Sequence, residues 1–349
     1  MKKSSKKQFK SLQQFFKRFK RLKRSYLKLL RKAKADGKKF FKILNRKWLL
    51  GFSVSLLAFI FFLLPSPGYY QALHLFWQPA QITEVDIRVP LYSYPVNQTQ
   101  NPPPILSARS VVVMDTESAV VLYEKNPDLS LLPASTTKIM TAVVVLENYS
   151  LDQILTVGDL EKNGQTIDLL PGERMTVGNL LYGLLVASGN DAAMVLAENF
   201  LGGKPAFVKA MNQKAIELNL KNSHFENPSG IDHPNHYSTA IDLARLTSYA
   251  LKNPVFVQIV NTKKITIWDV SGKIPHYLFN INQLVGDDSG VVGVKTGWTE
   301  EAGECLVAHV RKDGRRITTV ILGSQDRFGE TKRLIEWVFT NFEWEEVLP

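Results

Sequence analysis

The spacing of apolar residues changes along this chain, and each change predicts a different kind of element. Residues 111–114 and 120–123 form two short apolar runs on either side of a polar turn, which is the pattern of a β-hairpin. Similar runs return near the end of the chain, and strands are therefore also predicted at 291–295, 305–310 and 317–322.

Between these runs the apolar residues recur every three or four positions, as they do on one face of a helix. Thr176 is a suitable cap for one such stretch, and the polar break 188–190 separates it from the next. The order of hairpin, helices, hairpin and helix predicts an α+β fold, with an antiparallel sheet built from both ends of this region around a helical insertion. Helices are predicted at 135–146, 176–185, 191–200, 207–218, 239–251 and 334–342.

Residues 48–64 form a run of seventeen residues without a charge, closed by Pro65. As a helix this run would be about 25 Å long, near the lower limit for crossing a membrane. A buried core helix is the alternative, but Lys and Arg crowd the preceding segment, and positive charge is retained on the cytoplasmic side. The sequence therefore predicts an uncleaved transmembrane anchor in the cell membrane, with a cytoplasmic N-terminus and everything after Pro65 outside.

The net charge of +11 suggests a nucleic-acid-binding protein only until it is divided along the chain. Residues 1–47 carry 20 Lys and Arg but one acid, Asp36, which leaves 23 basic and 31 acidic residues in the remainder. Because the remainder has a net charge of −8, we expect no nucleic acid among the partners of the folded region. The basic arm is predicted either to lie on the anionic leaflet or to set the membrane topology as a solvated tail.

Eight of the 17 prolines lie between residues 65 and 106, a density that favours an extended spacer over regular packing. The predicted organisation is therefore a cytoplasmic arm at 1–47, an anchor at 48–64, an extracytoplasmic linker at 65–106 and a folded domain at 107–349.

The candidate chemistry begins at the mouth of the helix that follows Pro133. Ser135 and Lys138 are three residues apart, so a helix brings the lysine amine beside the serine hydroxyl. A lysine kept neutral by burial or by a second cation can take the proton of a serine and make it a nucleophile. A capping serine followed by a solvated lysine is the alternative, and Ser-x-x-Lys alone does not exclude it.

Two further motifs lie where such a nucleophile needs partners. Ser188-Gly189-Asn190 occupies the break between two helices, where a hydroxyl and a carboxamide can face a cleft. Lys295-Thr296-Gly297 ends a predicted strand, where the lysine offers charge and the glycine lets a substrate backbone approach. The three motifs in this order are far more specific than any one of them.

Other chemistries are disfavoured. The chain has no Gly-x-Ser-x-Gly motif, and its six histidines have no triad context. His233 and His236 are the nearest approach to a metal-binding pair, but they lie in a proline-containing loop without an accompanying carboxylate motif. No metal site and no cofactor is therefore predicted.

With these motifs in place, the chain resembles the serine D-alanyl-D-alanine carboxypeptidases, the low-molecular-weight penicillin-binding proteins. The resemblance runs from about residue 107 to 342 and includes PASTTKIMTA, LLVASGNDAAMVLAE, FENPSGIDHPNHYSTAIDLARL and VGVKTGWTEEAGECLVAHV. It implies the penicillin-binding, β-lactamase-like transpeptidase fold, in which a five-stranded antiparallel sheet packs against helices. The active site would lie between the sheet and an all-helical subdomain, and the substrate would be a peptidoglycan peptide ending in D-Ala-D-Ala.

The resemblance also implies catalytic roles. Ser135 would be the nucleophile that forms an acyl-enzyme, and Lys138 would be its general base. Ser188 and Asn190 would relay protons and hold the substrate amide, and Lys295 would contribute the positive charge that keeps Lys138 neutral.

Substrate-binding roles are carried over in the same way. Thr296 would bind the terminal carboxylate, Gly297 would admit the substrate backbone, and the backbone N–H groups of Ser135 and Trp298 would hold the oxyanion. Arg327 matches a late family arginine that faces the same carboxylate, although an exposed surface arginine is the alternative for this residue.

The predicted function is thus a penicillin-inhibited serine DD-carboxypeptidase. Three alternatives stay open: a DD-endopeptidase that cuts peptidoglycan cross-links, a non-catalytic wall-binding scaffold, and a β-lactamase. The β-lactamase is disfavoured because no second base for rapid deacylation is assignable from the sequence. The chain also departs from family members that carry a further β-domain after the catalytic one.

Overall fold

The computed structural model of the protein describes residues 51, 53–57, 59, 92–160 and 163–347. The chain divides into two compact units, 1–88 and 89–349, and the description that follows concerns the second. The predicted arm at 1–47 and most of the predicted anchor at 48–64 lie outside the described residues. Within the described ranges, no helix combines the length and the apolar composition that a membrane crossing requires.

An antiparallel sheet of five strands forms the centre of the second unit, in the order β3 (Val121–Lys125), β2 (Ser110–Asp115), β10 (Arg315–Ser324), β9 (Gly303–Lys312) and β8 (Val291–Thr299). Its strands come from both ends of the region, as the sequence predicted, because a helical insertion separates the first hairpin from the last three strands. The strands are β1 (Tyr92–Asn97), β2 (Ser110–Asp115), β3 (Val121–Lys125), β4 (Ile154–Thr156), β5 (Arg174–Thr176), β6 (Lys264–Trp268), β7 (Pro275–Phe279), β8 (Val291–Thr299), β9 (Gly303–Lys312), β10 (Arg315–Ser324) and β11 (Phe342–Val347).

Both faces of the central sheet are covered. Alternate residues of β2 belong to two different apolar cores, with Val112 and Met114 on the side of the helical insertion and Val111 and Val113 on the side of the last helix. This explains why residues 111–114 of β2 are all apolar and do not alternate with polar residues. The helices are α1 (Lys138–Asn148), α2 (Val177–Leu185), α3 (Asn190–Glu198), α4 (Gly203–Glu217), α5 (Ala240–Ala250), α6 (Pro254–Val260) and α7 (Arg327–Asn341), and a short 3₁₀ helix, Ala134–Thr137, precedes α1.

Residues 65–91 of the predicted linker lie outside the described residues, and within 92–106 the expectation that regular packing is absent is wrong for β1. This strand pairs antiparallel with β11, which the sequence also did not predict. Pro95 lies opposite Trp344, and a proline is tolerated there because a two-stranded sheet leaves each strand with a free edge. The final helix begins at Arg327 and not at 334, because the Asp326 side chain caps it by accepting from the N–H of Gly329.

Two further two-stranded sheets, β4–β5 and β6–β7, lie outside the central sheet. Neither was predicted, because strands of three to five residues carry too little periodicity to stand out from their surroundings. The predicted turn between β9 and β10 is confirmed, since Asp313 and Gly314 both adopt positive φ there, at 50° and 74°.

A buried carboxylate ties α7 to the start of the domain. Glu330 is 1% exposed and accepts hydrogen bonds from the backbone N–H groups of Ser107 and Ala108, the latter at 3.2 Å, and from Ser324 Oγ at 2.7 Å. These donors face the protein interior, so they depend on this one side chain for hydrogen bonding.

We therefore expect Glu330→Ala to lower the free energy of unfolding by about 2–4 kcal/mol, because it leaves buried donors unpaired. Denaturant unfolding measures the change. Glu336→Ala, at an exposed position of the same helix, is the matched control and should change the stability by less than about 0.5 kcal/mol. Equal losses in the two variants would contradict the role given to Glu330.

Candidate active site

Ser135 lies at the bottom of a cavity of about 610 Å³ between the sheet edge and the helical insertion. The predicted single helix is in fact a 3₁₀ turn, Ala134–Thr137, that passes into α1 at Lys138. Pro133 occupies the N-cap of this turn, so Ser135 is not the capping residue that the alternative required. Ala134 has a positive φ of 47°, and this bend turns Ser135 toward the cavity.

The amine of Lys138 is completely buried and meets three oxygens. Its Nζ lies 2.8 Å from Ser135 Oγ, 2.7 Å from Asn190 Oδ1 and 2.7 Å from the carbonyl oxygen of Ser229. The amide oxygen of Asn190 and the carbonyl oxygen of Ser229 carry no hydrogen, so they can only accept hydrogen bonds. A neutral amine has two N–H groups and one lone pair, so it can donate to Asn190 and Ser229 while its lone pair accepts the hydroxyl proton of Ser135. The site thus orients a base toward the nucleophile.

Electrostatics favour that neutral form. Burial, and then the positive charge of Lys295, hold the pKa of Lys138 well below its ordinary value, while the carboxylate of Asp191 raises it in part. Burial is the larger cause because an ammonium group loses its hydration when no water reaches it.

Lys295 is the second buried lysine, on β8, and its Nζ donates to the carbonyl oxygen of Thr296 at 2.9 Å. Burial, and then the charge of Arg327, lower the pKa of Lys295 to about 7. The expectation that Lys295 contributes positive charge beside Lys138 stays a prediction, and the lowered pKa makes that charge depend on pH near neutrality. The permanent cation of the site is the guanidinium of Arg327.

Arg327 is the first residue of α7, and it lines the cavity. Its Nη1 donates to the carbonyl oxygen of Gly297 at 2.8 Å, and its guanidinium lies 4.9 Å from the centre of the Phe328 ring. Its Nε is buried and has no hydrogen-bond partner among the described residues. The alternative of an exposed surface arginine is therefore wrong, because the residue is half-buried, lines the cavity and donates to the sheet edge.

The Ser188-Gly189-Asn190 segment forms another wall. Ser188 is 4% exposed and adopts a positive φ of 61°, and Asn190 begins α3. Asn190 accepts from Lys138 through Oδ1 and donates through Nδ2 to the carbonyl oxygen of Asn163 at 2.7 Å. Because both ends of its amide are held, the orientation of the Asn190 side chain is set independently of any ligand.

The third predicted motif forms the sheet side of the cavity, where Thr296, Gly297 and Trp298 line it along β8. A Cβ on Gly297 would lie 3.0 Å from both Pro133 O and Ser135 N, so a larger residue would push the strand away from the nucleophile. Trp298 is 62% exposed at the mouth of the cavity. Seven of the nine predicted site residues thus line one cavity, and the buried amines of the other two, Lys138 and Lys295, contact residues of that lining.

Sequence reasoning missed the loop that carries Ser229 and Gly230. A Cβ on Gly230 would lie 1.9 Å from Ala134 O, and its φ is +85°, so only glycine fits against the nucleophile turn. Asn227 Oδ1 accepts from the N–H groups of Ser229, Gly230 and Ile231, and this holds the loop in shape. The Asn-Pro-Ser-Gly sequence was recognisable as a turn, but nothing in it indicated contact with Lys138.

His236, one of the two histidines considered for a metal, supports the nucleophile turn instead. Its Nε2 lies 2.9 Å from Thr137 Oγ1, and its Nδ1 accepts from the N–H of Glu226 at 3.3 Å. Nδ1 is therefore the acceptor and Nε2 the donor. Burial, then the charges of His224 and His233, lower the pKa of His236 to about 4, so the ring is neutral at pH 7. Among the described residues no cluster of His, Cys, Asp and Glu could hold a metal ion.

Comparison with known proteins identifies the family of this chain. Residues 96–326 match the family model described as D-alanyl-D-alanine carboxypeptidase. The chain is 36% identical to the D-alanyl-D-alanine carboxypeptidase DacF of Bacillus subtilis. The match covers 68% of this chain and 63% of DacF, so this chain spans less than two thirds of that relative. It is also 36% identical to a D-alanyl-D-alanine endopeptidase of Pseudomonas aeruginosa, over 67% of this chain and 78% of that one.

A solved structure of similar sequence has the same fold. The Streptomyces K15 DD-transpeptidase is similar with a TM-score of 0.65 and 33% identity, and the match covers 69% of this chain and all of that one. The fold predicted from the sequence, an antiparallel sheet flanked by helices with a helical insertion, is thereby confirmed.

The electrostatic arrangement predicts how Lys295 titrates. Because the charge of Arg327 helps to lower the pKa of Lys295, Arg327→Gln should raise that pKa above about 7. Carbon-13 NMR of the lysine Cε resonances measures the titration. Arg316→Gln, which removes an exposed arginine paired with Glu117, should leave it unchanged. A titration that does not move in Arg327→Gln would show that burial alone sets this pKa.

Proposed function

The chain belongs to the D-alanyl-D-alanine carboxypeptidase family, and from that premise we propose that it removes the terminal D-alanine from peptidoglycan stem peptides. The observation that carries the proposal is the buried Lys138 amine, which contacts two obligate acceptors and lies 2.8 Å from Ser135 Oγ. A structural lysine would have no need of a hydroxyl placed at the bottom of an open cavity. The reaction is an acyl transfer in two steps.

In the first step Lys138 takes the Ser135 hydroxyl proton as Oγ attacks the carbonyl carbon between the two D-alanines. The backbone N–H groups of Ser135 and Trp298 stabilise the negative charge on the carbonyl oxygen. The C–N bond then breaks, and the departing amine takes the proton from Lys138 by way of the Ser188 hydroxyl. The products of this step are free D-alanine and an ester on Ser135.

The protein recognises its substrate by the carboxylate of the leaving D-alanine. Arg327 provides a permanent positive charge at the wall of the cavity, and Thr296 provides a hydroxyl on strand β8. A carboxylate held there accepts charge-assisted hydrogen bonds, which are stronger than neutral ones. Lys295 adds to this positive field while it is protonated and opposes protonation of Lys138.

In the second step a water molecule replaces the leaving amine. Lys138 takes one proton from this water while the water oxygen attacks the ester carbon. The proton then passes from Lys138 to Ser135 Oγ as the ester bond breaks. This releases the shortened peptide as a carboxylic acid and restores the free enzyme. Asn190 holds the acyl-chain amide in place through both steps.

Endopeptidase activity on peptidoglycan cross-links is a second candidate, because the similar Pseudomonas protein carries that name. The chemistry at Ser135 would be identical, and only the group on the leaving side of the cavity would differ.

The N-terminal segment is proposed to anchor this enzyme in the cell membrane as a single-pass protein, with a cytoplasmic N-terminus and the catalytic domain outside. The uncharged run 48–64 and the basic residues before it support this topology. A fluorescent penicillin that does not cross membranes should therefore label the full chain in intact cells as fully as it does after lysis. Labelling only after lysis would contradict the topology.

Penicillins resemble the acyl donor, and we expect the full-length chain to form a stable one-to-one adduct on Ser135. Peptide mass spectrometry locates the adduct, and Ser135→Ala should abolish it. Ser150→Ala, an exposed serine outside the cavity, should react like the unchanged protein. Rapid release of hydrolysed drug would indicate a β-lactamase, and absence of an adduct would favour a non-catalytic wall-binding protein.

The products of two substrates decide between the candidate activities. A carboxypeptidase converts a pentapeptide ending in D-Ala-D-Ala into the tetrapeptide and D-alanine and leaves a cross-linked dimer intact. We expect this result by mass spectrometry, with at least about a thousandfold lower rate in Ser135→Ala because the nucleophile is lost. Cleavage of the dimer at a comparable or higher rate would favour the endopeptidase.

A further inference from the structure

A second cavity of about 540 Å³ adjoins the catalytic one. It lies between strand β7 and the segment 165–168, and it shares Gln165 and Ile281 with the catalytic cavity. We propose that this groove, bounded by β7 and residues 165–168, binds the extended part of the substrate peptide that precedes the reacting D-alanine pair. The proposal rests on the proposed function, since the peptide must leave the catalytic cavity on one of its open sides.

Strand β7 has a free edge on the groove. In the described chain it pairs only with β6, in a two-stranded antiparallel sheet. At the two ends of this hairpin, Asn280 N–H donates to Lys263 O and Asp269 N–H donates to Ile274 O. Because bonded and non-bonded pairs alternate along an antiparallel ladder, the even-numbered residues of β7 carry the bonds to β6.

It follows that Tyr277 and Phe279 direct their backbone N–H and C=O groups away from β6. Both residues line the groove. An extended peptide can pair with such an edge as an added strand and satisfy each of these groups in turn. This regular spacing of donors and acceptors favours a peptide over a saccharide, whose hydroxyl groups do not repeat at the interval of a strand.

The groove is already formed without a ligand. His276 of β7 reaches across its base, where Nδ1 lies 2.8 Å from the carbonyl oxygen of Ile167 and Nε2 lies 2.7 Å from Glu173 Oε1. Both the His276 and Glu173 side chains are buried, at 5% and 0% exposure. On the other side, Asp191 accepts from the N–H groups of Ile167 and Leu169. The peptide unit of Ile167 is thus held from two directions, which keeps the walls apart at a set distance.

The side chains on the open face of β7 are unusually apolar for exposed positions. Tyr277 is 69% exposed and Phe279 is 66% exposed, whereas the intervening Leu278 is buried. A ligand strand along the edge would cover parts of both rings, and such aromatic surface contributes strongly to binding. Trp268 lies on the same exposed face, opposite Pro275, but does not line the groove. It therefore serves as a matched control.

The test compares a short and a long substrate on the full-length chain. The substrates are N-acetyl-Lys-D-Ala-D-Ala and the corresponding pentapeptide. We expect the unchanged protein to prefer the pentapeptide in kcat/KM by about tenfold, the factor that one well-packed aromatic contact supplies. The double variant Tyr277→Ala/Phe279→Ala should reduce this ratio to near one, while Trp268→Ala should keep it. Thermal unfolding of each variant verifies that it is folded.

Binding to Ser135→Ala protein tests the groove without catalysis. Calorimetry should give tighter binding of the pentapeptide than of the tripeptide, and the difference should disappear when Tyr277→Ala/Phe279→Ala is added. The proposal is overturned if Ser135→Ala protein binds both peptides equally, or if the difference survives in the combined variant. The proposal is also overturned if lengthening the peptide tightens binding only when a disaccharide is attached to the peptide. Failure of the proposed function would appear separately, as an absent Ser135 adduct in protein that still binds the longer peptide more tightly.

Discussion

The burial of a single amine is the constraint on which the rest of this site depends. Lys138 has no exposed surface, so its amine must find all of its hydrogen-bond partners within the protein. It finds them on three separate segments: the nucleophile turn, the start of α3 and the loop that ends in Ser229. A shift in any one of these segments would leave a buried polar group without a partner. These three segments of the helical insertion are therefore coupled through one side chain.

Backbone proximity makes that arrangement possible. The nucleophile turn is enclosed between Gly230 on one side and Gly297 on the other, and a Cβ at either position would meet the backbone of residues 133–135. The side chain of His236 braces Thr137 from a third direction. Because the turn cannot move outward, the Ser135 hydroxyl and the Lys138 amine keep their 2.8 Å separation without a substrate. The site is organised before it is used, as electrostatic catalysis requires.

The positive groups of the site influence one another. Burial lowers the pKa of both lysines, that of Lys138 well below its ordinary value and that of Lys295 to about 7, and the Arg327 guanidinium is a permanent cation. Each charge disfavours protonation of its neighbour, so the arginine at the start of α7 influences the base at the start of α1 through the lysine between them. The sequence motifs contain all three residues, yet nothing in their spacing indicates this influence, because it depends on burial and on through-space distance.

The sequence by itself determined the local features. Apolar periodicity located the first hairpin, most helices of the insertion and the last three strands of the sheet, and the spacing of Ser135 and Lys138 placed them one turn apart. Only the tertiary structure decided which distant groups meet there. The carbonyl of Ser229, the pairing of β1 with β11 and the groove beside β7 all arise from contacts between segments far apart in the chain. Periodicity reports which face of an element is buried, but the partner of that face depends on how all the elements pack together.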